Sequence, residues 1–367
     1  MAFNASDHEF MAQALRLAAR GLFTTDPNPR VGCVLVKDGV VVGEGWHERA
    51  GEPHAEINAL RAAGSQAQGS TVYVTLEPCC HIGRTPPCVD ALLEARVARV
   101  VAAMPDPNPL VAGQGLRSLS AARIETASGL MQGDAEALNP GFVKRMRTGL
   151  PYVRVKLAMS IDGRTALASG ESKWITGEAA RLDVQNLRAR SSAVMTGMGT
   201  VTHDNPSLNV RTDGAVRQPL RVVLDPALDM RPDARILALA GQTLIFTACP
   251  DGASRSALEA AGAEVVGVDG DESRLDLGAV MRRLGEREIN ELHVESGATL
   301  AGALLEAELV DELVLYVAPL VMGDEARGLF HLPALASMAE RVELDIVDVR
   351  AVGRDWRITA KVFVASS

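Results

Sequence analysis

Apolar residues recur at helical spacing near the start of the chain, at Phe10, Ala14, Leu17 and Ala18. Ser6-Asp7-His8-Glu9 precedes them and reads as a capping box, so the pattern predicts an opening helix. After the break at Asp26-Pro27-Asn28-Pro29 the pattern changes to short β-branched runs over 31–36 and 40–42, which predict a hairpin turning at Asp38-Gly39. A helix over 54–63, a β-rich run over 71–76 and a further strand over 97–103 follow. The wording Asp106-Pro107-Asn108-Pro109 then repeats the earlier turn. Strands alternating with helices predict an α/β layered domain.

The basic stretch Lys144-Arg145-Met146-Arg147 runs into Gly149-Leu150-Pro151, where a boundary is expected, giving domains at 1–148 and 149–367. The second domain opens on the β-run "YVRVKLAMSIDGRTA". It continues with strand candidates over 193–196, 220–224, 243–247, 292–295, 313–318 and 358–364, with helices over 179–190 and 275–284 among them. Gly197-Met198-Gly199 follows one strand but lacks the third glycine of a dinucleotide fingerprint, since residue 202 is Thr, and the Rossmann reading is rejected. In "HVESGATLAGALL" a strand ends at Ser296-Gly297 and a helix follows. Backbone N–H groups there either cradle a phosphate or form an ordinary turn.

Length, 367 residues, suits two domains with a core each. A net charge of −9 argues against a nucleic-acid partner, which favours a basic footprint. Five cysteines, three of them clustered, point to a reducing compartment and not to a disulfide framework. "MAFNASDHEF" has no signal-peptide character and no apolar run is long enough to span a bilayer, so a soluble cytoplasmic protein without membrane contact is expected. Cys33 lies in a predicted strand and reads as core.

The chemistry concentrates in "GEPHAE" (51–56) and "LEPCCHIGRTPPC" (76–88). His54, Cys79 and Cys88 would leave a tetrahedral Zn²⁺ one ligand short, as in catalytic sites, with water in the open position and its pKa lowered toward neutrality. Glu56 is placed to handle protons beside it. A closed structural clip with Cys80 as fourth ligand is the alternative. Cys79 is preferred over Cys80 because it directly follows Pro78. A helix starting after Cys79 or near Cys88 would favour thiolates. H-x-E followed by P-C-x-x-C is the signature of zinc nucleobase deaminases, although here eight residues separate the two cysteines.

"PHAEINAL" with "TLEPCCHIGRTPPC" is similar to the deaminase half of the bifunctional riboflavin-pathway deaminase/reductase family. "KLAMSIDGRTA", "SKWITG", "MTGMGTVTHDNPSLNVR" and "VESGATLAGALL" resemble its reductase half. The resemblance covers nearly the whole chain. It implies a cytidine-deaminase-like domain followed by a dihydrofolate-reductase-like α/β domain, one zinc per chain, and NADPH. It assigns Asn28 and His47 to the deaminase pocket, with His81 and Arg84 of the inserted loop as further candidates for contact. Ala158, Trp174, Thr200, Asp204 and Gly297, Ala298, Thr299, Leu300, Ala301, Gly302 and Ala303 are assigned to NADPH. Ser172, Arg188, Leu208, Arg211 and Glu295 are assigned to the second substrate. Arg188 and Arg211 suit a sugar phosphate because guanidinium groups pair bidentately with it. Ala158 stands where the family often has Gly. The implied substrates are pyrimidine ribosyl phosphates, first deaminated by zinc-bound hydroxide with Glu56 moving the protons, then reduced from ribosyl to ribityl; a homo-oligomer is expected. A nucleic-acid-editing deaminase shares the first motif set but accounts for nothing beyond Pro151.

Overall fold

The structure, a computed structural model, describes residues 3–80, 86–212 and 217–363. Its first helix, α1 (Ala5–Ala19), is capped by Asn4: Asn4 Oδ1 accepts from Asp7 N at 2.8 Å and Asp7 Oδ2 accepts from Asn4 N at 3.0 Å. The capping box is therefore Asn4–Asp7 and not Ser6–Glu9. Asp7 is drawn inward because the Tyr73 hydroxyl and the Arg99 guanidinium both donate to its carboxylate at 2.7 Å. Met11, Ala14, Leu17 and Ala18 form the buried stripe.

The hairpin β1 (Gly32–Lys37) and β2 (Val40–Trp46) turns through Asp38 and Gly39, both at positive φ (51° and 77°), as a two-residue type I′ turn requires. The unit continues through α2 (Ala55–Ala63), β3 (Thr71–Val74), α3 (Cys88–Glu94), β4 (Arg99–Ala102), α4 (Gln114–Ala121), β5 (Glu125–Ser128), α5 (Gln132–Leu138) and α6 (Pro140–Thr148). One sheet, ordered β2-β1-β3-β4-β5, is antiparallel as far as β3 and parallel from there. Cys33 is fully buried in its core with Val34, Val72 and Val100.

By its internal contacts the chain divides into Met1–Gly149 and Leu150–Ser367. The second unit runs β6 (Tyr152–Ser160), β7 (Arg164–Ala166), α7 (Glu178–Arg190), β8 (Ala193–Gly197), α8 (Met198–Asp204), β9 (Leu220–Leu224), β10 (Thr243–Thr247), α9 (Ala253–Ala260), β11 (Ala263–Gly267), α10 (Leu277–Glu286), β12 (Glu291–Glu295), α11 (Ala298–Glu306), β13 (Glu312–Ala318), β14 (Arg327–Gly328), β15 (Leu344–Val352) and β16 (Asp355–Val362). Its main sheet is ordered β11-β10-β9-β8-β12-β6-β13-β16-β15, parallel as far as β13 and closed by the antiparallel pair β16 and β15. The parallel strands read as nearly continuous apolar runs because the sheet is covered on both faces, with separate clusters around Val155 and Phe246 and around Val194 and Ile245.

The chain steps outward from β8 to β11, then returns to insert β12 between β8 and β6. That reversal opens a crevice at the carboxyl ends of these strands, where α/β sheets bind ligands. β15 escaped the sequence pattern because Leu344, Ile346, Val347 and Val349 are all exposed, so no alternation of inward and outward positions marks it. No helix among the described residues is long and apolar enough to cross a membrane.

Candidate active sites

The first site forms where α2 and α3 begin. A Cβ on Gly45 would lie 2.4 Å from both Ala55 O and Ala59 N, and one on Gly43 would lie 2.4 Å from Ala59 O. Bare backbone on β2 thus lets α2 settle directly onto the strand. This seats His54 at the N-cap and Glu56 in the first turn. His54 Nδ1 is 3.3 Å from Cys88 Sγ and 3.5 Å from Cys79 Sγ, and the three donor atoms lie within 4.8 Å of one another. Cys88 opens α3, and its backbone N–H donates to Cys79 Sγ at 3.3 Å.

An imidazole and two thiols converging in this way fit zinc, with one coordination position left for water. Cys80 faces elsewhere, its thiol 3.9 Å from Gln114 Oε1. The hydrogen bond from Cys88, aided by His54, pulls the Cys79 thiol down to about 4, and the same bond with burial pushes Cys88 up. Burial and the Cys79 charge push the Glu56 carboxyl up to about 7.

His47 is buried, its Nδ1 3.1 Å from Pro53 O and its Nε2 3.1 Å from the Asn28 amide nitrogen. An Nδ1–H tautomer satisfies both contacts, and burial holds the ring neutral by lowering its pKa. Its edge meets the His54 ring, with centroids 5.5 Å apart. Asn28, His47, His54 and Glu56 are therefore neighbours in space. His81 and Arg84 lie outside the described residues.

The second site is the β6–β12–β8 crevice. Both arms of the Arg188 guanidinium fork grip Glu295, with Nε–Oε1 at 2.5 Å and Nη2–Oε2 at 2.9 Å, while Nη1 donates to Asn209 O at 2.9 Å. Against burial, this clamp holds Glu295 well below the usual carboxylate range. Arg188 is thus anchored by Glu295 and Asn209 O, with two of its five N–H donors left over by these three bonds. The exposed Arg211 is the guanidinium that faces outward beside it. Burial and the Arg188 charge lower the Arg211 pKa. Leu208 is buried at positive φ (48°) in the segment that supplies Asn209.

The sequence reading missed two residues here. His293 is fully buried with Nε2 3.3 Å from Glu295 Oε1, and the Lys156 ammonium, its pKa lowered by burial, lies close enough to feel the charges of Glu295 and Arg188. Their period-two spacing, Lys156 with Ala158 and His293 with Glu295, was the available signal, because alternate strand residues share a face.

Gly297 caps α11 with open space before it, and Thr196 Oγ1 and Ser296 Oγ, near the ends of β8 and β12, are buried without a hydrogen-bond partner among the described residues. A helix N-terminus with unpaired buried hydroxyls beside it suits a nucleotide phosphate. Ala301 and Gly302 do not face this space. Ala301 is fully buried with its N–H bonded to Gly297 O, and a Cβ on Gly302 would lie 2.1 Å from His331 O. Among the other cofactor candidates, Ala158 is half-buried near the end of β6, and Thr200 is half-buried in α8 with the exposed Asp204, which pairs with Lys173 at 2.9 Å. Ser172 and Trp174 flank Lys173. Trp174 is exposed and stacked under Arg181, 4.7 Å from its ring centroid.

A His-Cys-Cys centre on a layered α/β domain, followed by a separate sheet with a nucleotide crevice, defines a two-part deaminase and reductase. Residues 4–104 match the cytidine and deoxycytidylate deaminase zinc-binding region, and residues 151–358 match the RibD C-terminal domain. The chain belongs to the RibD family of riboflavin-biosynthesis deaminase/reductases. It is 52% identical over 361 residues to the riboflavin biosynthesis protein RibD of Escherichia coli (strain K12), covering 95% of this chain and 97% of the relative. It is 48% identical to that of Haemophilus influenzae over 376 residues, covering 97% and 98% of the two chains. Among solved structures it resembles Acinetobacter baumannii RibD, form 1, with 45% identity, TM-score 0.91 and coverage of 98% and 99%. It also resembles a diaminohydroxyphosphoribosylaminopyrimidine deaminase/5-amino-6-(5-phosphoribosylamino)uracil reductase from Thermotoga maritima, with 31% identity, TM-score 0.86 and the same coverage.

Proposed function

We propose that the first unit deaminates 2,5-diamino-6-ribosylamino-4(3H)-pyrimidinone 5′-phosphate. The second would then reduce the ribosyl chain of the product with NADPH, giving 5-amino-6-(5-phosphoribitylamino)uracil. The observation that carries the first step is the buried Glu56 beside three convergent metal donors. His54, Cys79 and Cys88 would hold zinc, which would lower the pKa of a bound water into the neutral range. Glu56, a carboxyl that burial pushes up, would take the water's two protons in turn, one as the water attacks and one as the C–N bond breaks, and pass them to the ring nitrogen and the departing ammonia. His47, fixed neutral between Pro53 O and Asn28, orients the Asn28 amide toward the pyrimidine. Free thiols at both cysteine ligands suit a reducing cytoplasm.

For the second step, Gly297, Ala298, Thr299 and Leu300 bring the first turn of α11 to the cofactor phosphate, with Ala158, Trp174, Thr200 and Asp204 around the rest of NADPH. Arg211 meets the sugar phosphate, while Ser172, Leu208 and the Arg188–Glu295 pair shape the substrate side. The cofactor carries the hydride chemistry and the protein supplies orientation and charge. The test is incubation with the diaminopyrimidine phosphate and NADPH, following ammonia release and NADPH oxidation separately. Ammonia release is expected without NADPH, and NADPH oxidation only once ammonia has been released. NADPH oxidation that precedes ammonia would overturn the order, and no ammonia from the zinc-loaded enzyme would overturn the substrate.

A further inference from the structure

Glu77 stands two residues before the ligand Cys79, is 4% exposed, and among the described residues bonds to none of the metal donors. Its carboxylate is instead occupied by backbone of the 106–116 segment. Oε2 accepts from Asp106 N at 3.0 Å and Gly113 N at 2.8 Å, and Oε1 accepts from Leu116 N at 3.2 Å. Its own N–H donates to Met104 O at 3.0 Å, two residues beyond the end of β4. The segment so gripped is pressed against the next peptide: a Cβ on Gly115 would lie 2.1 Å from Pro78 O and 3.3 Å from Glu77 Oε1. On the far side, Cys79 O accepts from Val89 N at 3.2 Å and Cys79 Sγ from Cys88 N at 3.3 Å. Cys79 therefore hangs between two fixed points, α3 on one side and the Glu77–α4 contact on the other.

We infer that Glu77 is a positioning residue of the metal centre. By clamping the 106–116 backbone onto the Pro78–Cys79 peptide, it holds the Cys79 sulfur in register with His54 and Cys88. The inference rests on the reading that these three residues bind zinc. The role calls for a carboxylate, because three donors from one segment need two acceptor atoms and no competing N–H. Glutamine has the same volume but turns an amide NH₂ toward at least one of those donors.

The experiment uses the full-length zinc-loaded protein and its cobalt-substituted form. Glu77→Gln, and independently Gly115→Ala, which opens the same clamp from the α4 side, should weaken zinc about 10- to 100-fold in competition with a chromophoric chelator, the range for residues supporting ligands. Both should shift the thiolate-to-cobalt charge-transfer and d–d bands. Linkage is reciprocal, so zinc binding to the wild type should slow hydrogen exchange at the Asp106, Gly113 and Leu116 amides. That measurement stands even where both variants misfold. Wild-type zinc affinity and cobalt spectrum in either folded variant, or exchange at those amides indifferent to zinc, overturns the clamp. A wild type that holds no zinc, or holds it only through Cys80, would overturn the ligand reading instead.

Discussion

In the deaminase unit the chemistry is brought together by backbone: two helix starts place His54, Glu56 and Cys88, and glycines on β2 let α2 close on its strand without intervening side chains. In the reductase unit the same task falls to charge. Glu295 is gripped by Arg188 from α7 and flanked by His293 from its own strand, in the crevice between parallel strands. The first arrangement gathers three donors that compensate one another, His54 supporting the Cys79 thiolate, in a set that suits a cation. The second pairs its buried carboxylate with a buried guanidinium, with two further cations, Lys156 and Arg211, close by. A metal site needs its ligands oriented by the groups around them, whereas a cofactor that carries the chemistry asks the protein for orientation and charge.

The largest effect that sharpens this contrast is at the ligands. Cys79→Ser should abolish zinc binding, measured as metal per chain after dialysis, and ammonia release with it; a zinc-replete Cys79→Ser protein would remove Cys79 from the ligand set. The companion change, Cys80→Ser, belongs at the other end of the scale. Its thiol faces Gln114, so metal content and deamination should be unchanged. Next comes Glu56→Gln, which keeps size but cannot carry the proton. Ammonia release should fall by about 10² to 10⁴ with zinc retained. NADPH oxidation on deaminated substrate should continue near its normal rate, and its loss in a folded, zinc-loaded variant would break the two-site reading.

On the reductase side the comparison breaks at the ion pair. Arg188→Leu strands the Glu295 carboxylate without its guanidinium and should destabilise this unit by about 3–5 kcal/mol. Denaturant melts would show it, and a change below about 1 kcal/mol would mean that His293, Lys156 or water replaces the guanidinium fully.

The smaller effect is a pH dependence of the metal-free protein. Glu56 has a folded value of about 7 against an ordinary 4.5, so the folded state holds the extra proton. Its stabilising contribution is present below 4.5 and disappears as pH rises through 7. At about 1.36 kcal/mol per unit this amounts to about 3 kcal/mol. Cys79, pulled down to about 4, slopes the other way in both proteins, so the comparison with Glu56→Gln isolates the carboxyl. The stability of the variant relative to metal-free wild type should grow across that window. Parallel pH profiles would mean that Glu56 is not held up by its surroundings.

What the sequence determined was local chemistry and local shape. The zinc triad, Glu56, the Asp38-Gly39 turn and the strand-to-helix passage at Gly297 follow from residue types at short spacing, because ligand spacing, positive φ and apolar periodicity are written within a few positions. For Cys79 over Cys80, which the sequence already favours through Pro78, the fold adds the physical reason: the return of Cys88 reaches Cys79 Sγ and leaves Cys80 facing Gln114. The Asn4 cap, too, was settled by Tyr73 and Arg99, far along the chain, pulling Asp7 inward. The pairing of Arg188 with Glu295, 107 positions away, is likewise a product of the fold. His293 and Lys156 gain meaning only when β12 inserts beside β6. Pairing between distant strands and helices carries no short-range pattern, and burial fixes which charges must find each other only after the sheet has closed around them.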